Sequence, residues 1–205
     1  GQLLGLPYAY RDQSNGPAMD KAIRKIGREA IYRATGIQIT RFNTLYQLIA
    51  RHDTEMPLVN SAAHLLNISD LLHYLFSGKA VNEATIASTT QMVDPFTGQW
   101  HTKLLADLSL PTHFLKPIVP SGTELGKIRD EVAAEAGVAP IEVIVPASHD
   151  TASAVAAVPI EPGAPGHWAY VSSGTWSLMG VELDAPFISD ESFAANFTNE
   201  RGVVN

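Results

Sequence analysis

The stretch "VIVPASHDTASAVAAV" (143–158) sets an imidazole and a carboxylate where an apolar run stops and a run of small, helix-forming residues starts. Ser148, His149 and Asp150 are the three side-chain types of a hydrolytic triad, but three consecutive residues cannot line up nucleophile, base and orienter side chain to side chain. No G-x-S-x-G elbow accompanies them. Two readings remain. In one, Ser148 or Asp150 caps the following helix and His149 is a satisfied neighbour. In the other, Asp150 is a general base, kept ionised by the amides and dipole of the helix start, which also favour an anionic phosphate nearby. Ligands of α/β folds gather beyond the carboxyl ends of strands, which is where this residue falls.

A second donor-rich group is Ser172-Ser173-Gly174-Thr175. A glycine turn with three hydroxyls lets backbone approach phosphate oxygens; the same residues also serve as ordinary strand connections. No Walker-A pattern supports a P-loop. His52, His64, His73, His101, His113 and His167 show no zinc-site spacing and read as surface or core residues. Trp100, Trp168 and Trp176 read as packing residues.

The elements around these groups follow from periodicity. Residues 17–34 predict one amphipathic helix, with Pro17 in its first turn and Gly36 as its stop. Residues 42–53 predict a second helix, and 69–78 a third, capped by Ser69 and stopped by Gly78. "DPFTGQW" (94–100) predicts a surface loop leading into a short helix through Leu104, Leu105 and Leu108. A turn is expected at Ser121-Gly122 and a helix from Val132 to Ala136. "IEVIV" (141–145) predicts a buried strand and "TASAVAAV" (151–158) a helix. "PIEPGAPGH" (159–167), with three prolines and two glycines, reads as an interdomain connection. "WAYVSSGTWSLMGVEL" (168–183) predicts a hairpin.

Composition narrows the class. The chain has 205 residues, 45% hydrophobic and 17% charged, enough for a real core. Its net charge is −7 and it lacks a basic cluster, so nucleic acid and anionic membrane are poor partners. The absence of cysteine excludes disulfides and thiolate chemistry and fits the reducing cytoplasm. No apolar run approaches the roughly 20 residues a spanning helix needs. The first residue is not Met and the opening residues read as mid-domain, which predicts a fragment.

Taken together, "ASHDTASAVAAVP" and "AYVSSGTWSLMGVE" resemble the FGGY carbohydrate kinases, and within them the branch acting on L-rhamnulose. "GLPYAYRD" (5–12), "FNTLYQL" (42–48), "SDLLHYLFSG" (69–78) and "NEATIASTTQMVD" (82–94) extend the likeness over nearly the whole chain. The resemblance implies an α/β, ribonuclease-H-like (actin-like) two-domain sugar kinase. Residues 1–158 would be the later part of the sugar-binding domain, 159–167 the connection, and 168–205 the start of the nucleotide-binding domain.

By the same resemblance, Asp150 matches the catalytic base, and His149, Asp150 and Thr151 match the ketose-contacting positions. Ser173, Gly174 and Thr175 match the turn that holds nucleotide phosphate, with no protein metal site. The implied reaction is transfer of the γ-phosphoryl group of ATP, with Mg²⁺, to the 1-hydroxyl of L-rhamnulose. The alternatives are a kinase of fuculose, xylulose or another small polyol, or a non-catalytic sugar-binding relative. Three features depart from the family pattern. The first phosphate hairpin and the adenosine pocket are missing from these residues, so the 205 residues alone are expected to be inactive. Gln13-Ser14 follows Asp12 where Asp-x-Arg is common, and Ser69 stands where Pro is common. Both bear on the sugar more than on the enzyme class.

Overall fold

The structure is a computed structural model that describes residues 1–160 and 168–203. The connection expected at 159–167 falls outside the described residues from position 161 onward.

The first helical stretch is two helices, α1 (Asn15–Ile26) and α2 (Arg28–Thr35). The single helix expected over 17–34 is broken by Gly27, whose φ of 95° lies where side-chain-bearing residues are strained. The break turns Ile31 and Tyr32 into the core, while α1 buries Ala18 and Ala22 against α3 (Thr44–Ser61). Helix α3 runs eight residues past the expected end at 53 and kinks at Glu55, just before Pro57, which has no N–H to give and crowds the preceding turn. Its residues Leu45, Tyr46, Leu48 and Ile49 join Met92, Leu104, Leu105 and Phe114 in the main core.

Helix α4 (Ile68–Ser77) ends at Gly78 in the left-handed conformation, as expected; α2 ends in the same way at Gly36. The cap of α4 is not Ser69. Asn67 occupies that position, and its side chain reaches forward to Asp70 instead of capping the helix amides. Beyond it come β1 (Asn82–Glu83), α5 (Ala84–Ser88), the loop closed by the Val93–Trp100 bridge, and α6 (Thr102–Asp107). His101 accepts the Leu104 amide on Nδ1 and so caps α6, a role its spacing did not announce.

Strand β1 pairs in parallel with β2 (Ile118–Val119). β3 (Glu124–Lys127) pairs antiparallel with β4 (Glu142–Ile144), with a bulge before Gly126, and α7 (Asp130–Ala136) joins them. The strand expected to be buried over 141–145 is therefore short and largely open: Ile141 and Ile144 are 58% and 55% exposed, and only Val145 is buried. A single neighbouring strand, β3, and α4 cannot cover both faces. α8 (Asp150–Ala156) follows. The hairpin is β5 (Ala169–Ser173) and β6 (Ser177–Val181). Finally α9 (Asp190–Ala194), bearing a capping box between Ser189 and Ser192, returns to α2, where Tyr32 Oη donates to Ser192 Oγ at 3.0 Å.

Candidate active site

Helix α8 starts at Asp150, with His149 at the N-cap in extended conformation and making no side-chain cap. Neither Ser148 nor Asp150 caps it. Ser148 Oγ donates to the Pro146 carbonyl at 3.2 Å, away from the helix start. Among the described residues Asp150 Oδ1 accepts only from Thr151, its amide at 2.7 Å and its hydroxyl at 3.3 Å. The Asp150 side chain is 97% exposed, so the carboxylate stands in solvent at the first turn of the helix. His149 lies between two carboxylates, with Nε2 3.6 Å from Asp150 and Nδ1 3.3 Å from Glu200. Its imidazole is mostly buried.

With no capping side chain of its own, the helix start is held from elsewhere. Glu83, fully buried, accepts the Ser148 amide at 3.1 Å. It also accepts the Thr85 amide and hydroxyl, the Ile86 amide and the Ser121 hydroxyl, all within 3.1 Å. Thr85 Oγ1 in turn accepts the His149 amide at 3.1 Å. Burial works to raise the Glu83 carboxyl, but the hydrogen bonds from Thr85, Ser121 and Ile86 outweigh it and hold the group below its usual range. The Glu83 amide donates to Asp70 Oδ1 at 2.9 Å, and Asp70 Oδ2 accepts from Asn67 and Asn82. Asp70 is also fully buried; there burial prevails over those bonds and pushes its carboxyl up.

The donor-rich turn is shifted from its expected place. Ser172 and Ser173 belong to β5, and the loop is Gly174-Thr175-Trp176. The Gly174 amide is engaged by Trp176 O at 2.8 Å, whereas the Thr175 amide and hydroxyl have no partner among the described residues. Gly174 is not left-handed, and a methyl added there would meet nothing closer than 3.9 Å. Nothing in the hairpin around Gly174 requires glycine at that position.

The tip docks on the first part of the chain. Arg11 Cζ sits 5.2, 5.7 and 5.6 Å from the rings of Tyr10, Phe42 and Trp176, a cation–aromatic cluster. Below the tip, α8 lies against β5, and Ala154 and Val155 of α8, with Val158 just beyond it, line a small cavity together with Tyr170, Val171 and Ser172. The two expected groups are thus carried by elements in direct contact. Glu83, Asp70, Glu200 and Arg11 were not singled out by sequence reasoning. The only trace of the first two is an acidic residue beside hydroxyls in "NEATIASTT" and an Asp three residues after an Asn in "NISD". Among the described residues, no three His, Cys, Asp or Glu side chains cluster to hold a metal ion, and no helix is long and apolar enough to cross a membrane.

Residues 4–157 match the N-terminal domain of the FGGY family of carbohydrate kinases. The chain is 46% identical over 203 residues to a rhamnulokinase of Pectobacterium carotovorum, covering 99% of this chain and 39% of that protein. It is 43% identical to one of Bacteroides thetaiotaomicron, covering 99% and 41%. It therefore spans about two fifths of the length of these relatives. Among solved structures, it superposes on a xylulose kinase of Rhodospirillum rubrum with a TM-score of 0.69 at 23% identity, over 77% of this chain and 33% of that one. For a xylulose kinase of Lactobacillus acidophilus the TM-score is 0.68 at 21% identity, over 75% and 32%. The chain belongs to the FGGY family of carbohydrate kinases and shares the α/β fold of these solved sugar kinases over the part of them that it covers.

Proposed function

From that membership we propose that these residues form the sugar-side part of an ATP-dependent kinase acting on L-rhamnulose. The observation that carries the reading is Asp150: an exposed carboxylate, unpaired with any Lys or Arg among the described residues, at the first turn of α8 in a chain over 40% identical to rhamnulokinases. In the proposed reaction Asp150 accepts the proton of the sugar 1-hydroxyl. The alkoxide oxygen then forms a bond to the γ-phosphorus of ATP, and the bond from that phosphorus to the β–γ bridging oxygen breaks to release ADP. His149 and Thr151 flank the base and would orient the ketose. Ser173, Gly174 and Thr175 would receive the nucleotide phosphates, with Mg²⁺ arriving as part of the nucleotide substrate.

Residues 159–167 would connect the sugar domain (1–158) to the beginning of the nucleotide domain (168–205). Transfer needs both reactants held in line, a positioning effect of roughly 7–11 kcal/mol at its fullest. The 205 residues alone would supply the base and one phosphate turn, an incomplete clamp, and are expected to release no ADP.

The test is ADP release by the complete chain that carries these residues, with L-rhamnulose, fuculose, xylulose and no sugar. L-rhamnulose should give the highest kcat/KM. Preference for another ketose would keep the kinase and change its substrate. Ketose binding without ADP release would make the protein a non-catalytic sugar binder.

A further inference from the structure

We propose that Glu83 is a positioning residue for phosphoryl transfer, one that sets where the Asp150 carboxylate stands without touching either substrate. The role rests on the kinase reading above. A buried carboxylate with no cation is costly unless hydrogen bonds replace its water. Among the described residues no Lys or Arg pairs with Glu83, and five donors surround it. Those donors come from three separate places: the start of α5, the turn at Ser121, and the segment entering α8. A carboxylate is the only side chain that accepts at every one of these points, because an amide must turn its N–H₂ toward some of them.

The arrangement is directional. Oε2 takes the Ser148 amide directly and the Thr85 hydroxyl beside it, and that hydroxyl takes the His149 amide. Two consecutive peptide units immediately before Asp150 are thereby fixed to one buried group. Glu83 is itself fixed through its own amide on Asp70. Since α8 has no side-chain cap, this anchor is what places the helix start, and with it the base. Displacing a reacting group by about 1 Å costs on the order of 10²-fold in rate, so an anchor two residues from the base acts on kcat.

The experiment is Glu83→Gln in the complete chain, alone and combined with Asp150→Asn, assayed with L-rhamnulose over hours. Either orientation of the new amide points an N–H at a backbone N–H, that of Thr85 on one side or those of Ile86 and Ser148 on the other. Expected are a kcat lower by about 10–100-fold, a KM for ATP within about twofold of the parent, and no further loss when Glu83→Gln is added to Asp150→Asn. An unimpaired Glu83→Gln, or a loss that multiplies in the double variant as a general structural defect would, overturns the role. A parent protein with no ketose-dependent ADP release overturns the kinase reading and this role with it; an active parent isolates the role.

If Glu83→Gln does not fold, Thr85→Val and Thr85→Ser make the same comparison. Thr85→Val should lose about tenfold in kcat and Thr85→Ser, which keeps the hydroxyl that holds the His149 amide, should recover most of it. Equal kcat in the two variants overturns the role.

Discussion

The Glu83 junction and the β5–β6 hairpin carry the two halves of the proposed site, and they are built in opposite ways. Around Glu83 and Asp70 the polar groups are buried and bonded to one another across segments far apart in sequence. Along the hairpin the backbone pairing is regular over five registers, yet Val171 and Met179 are 69% and 75% exposed, and Trp176, Leu178 and Val181 are open as well. A lone two-stranded hairpin is marginal in water. Here α8 and the Arg11 cluster are what fix it. The element of the proposed sugar side is thus held by internal polar bonds, and the turn proposed for phosphate by contacts with neighbouring elements. Residue types in the first region are explained by the fold, whereas at the hairpin tip Gly174 is not.

The largest expected effect falls on the exposed end of the anchored junction. Asp150→Asn keeps the size of the side chain and its bond to the Thr151 amide, but removes the proton acceptor. Turnover of the complete chain should fall about 10²–10⁴-fold while ketose affinity, read by calorimetry, changes little. Near-normal turnover would leave the junction a structural feature only.

The second effect separates the two buried carboxylates. Glu83 is held below its ordinary value of 4.5, so it stabilises the fold above that pH, and this contribution disappears as pH falls through its lower folded value. Asp70 is raised above 3.8, so its ionisation opposes folding once pH rises past that value. In urea unfolding at pH 7, Glu83→Gln should cost about 2–4 kcal/mol, because backbone N–H groups lose their acceptor. Asp70→Asn should stay within about 1 kcal/mol: Asn67 and Asn82 can turn their amides toward it, and a neutral group suits the site. The Glu83→Gln deficit should shrink on going to pH 4. Equal costs for the two variants, or a deficit that does not change with pH, would remove the distinction.

The same contrast explains what was legible in the sequence. Turn chemistry and apolar period exposed the hairpin, the stops at Gly36 and Gly78, and the helix after Asp150, since each is a local signal. Gly27 was misread because an isolated glycine within helical periodicity does not by itself mark a break. "IEVIV" was misread because a short apolar run looks the same whether one residue or five face the core. Ser69, Ser148 and Asp150 have capping side chains but stand one or more residues away from the backbone position where a cap forms. Glu83 was missed for a different reason: its decisive partners lie 38 and 65 residues downstream, and an acidic residue in a turn-rich stretch reads as surface.

The sharpest test of the comparison comes from two glycines of the hairpin. At Gly180 a methyl would stand 2.6 Å from Tyr170 Cζ, the residue across the pair, so the ring must shift. Gly180→Ala should cost about 1–3 kcal/mol as an overpacking substitution, with the KM for ATP much less affected. Gly174 has ordinary φ and open space, so Gly174→Ala should leave the melting temperature nearly unchanged or raise it slightly. If the bare backbone is there to let a phosphate oxygen come close, the methyl occupies that approach, and the KM for ATP should rise about tenfold, roughly 1.4 kcal/mol. Thermal melts and ATP titrations on the two variants separate these outcomes. A Gly174→Ala chain that binds ATP as the parent does would place the phosphates elsewhere, and the hairpin tip would then be a docking element for Arg11 and nothing more.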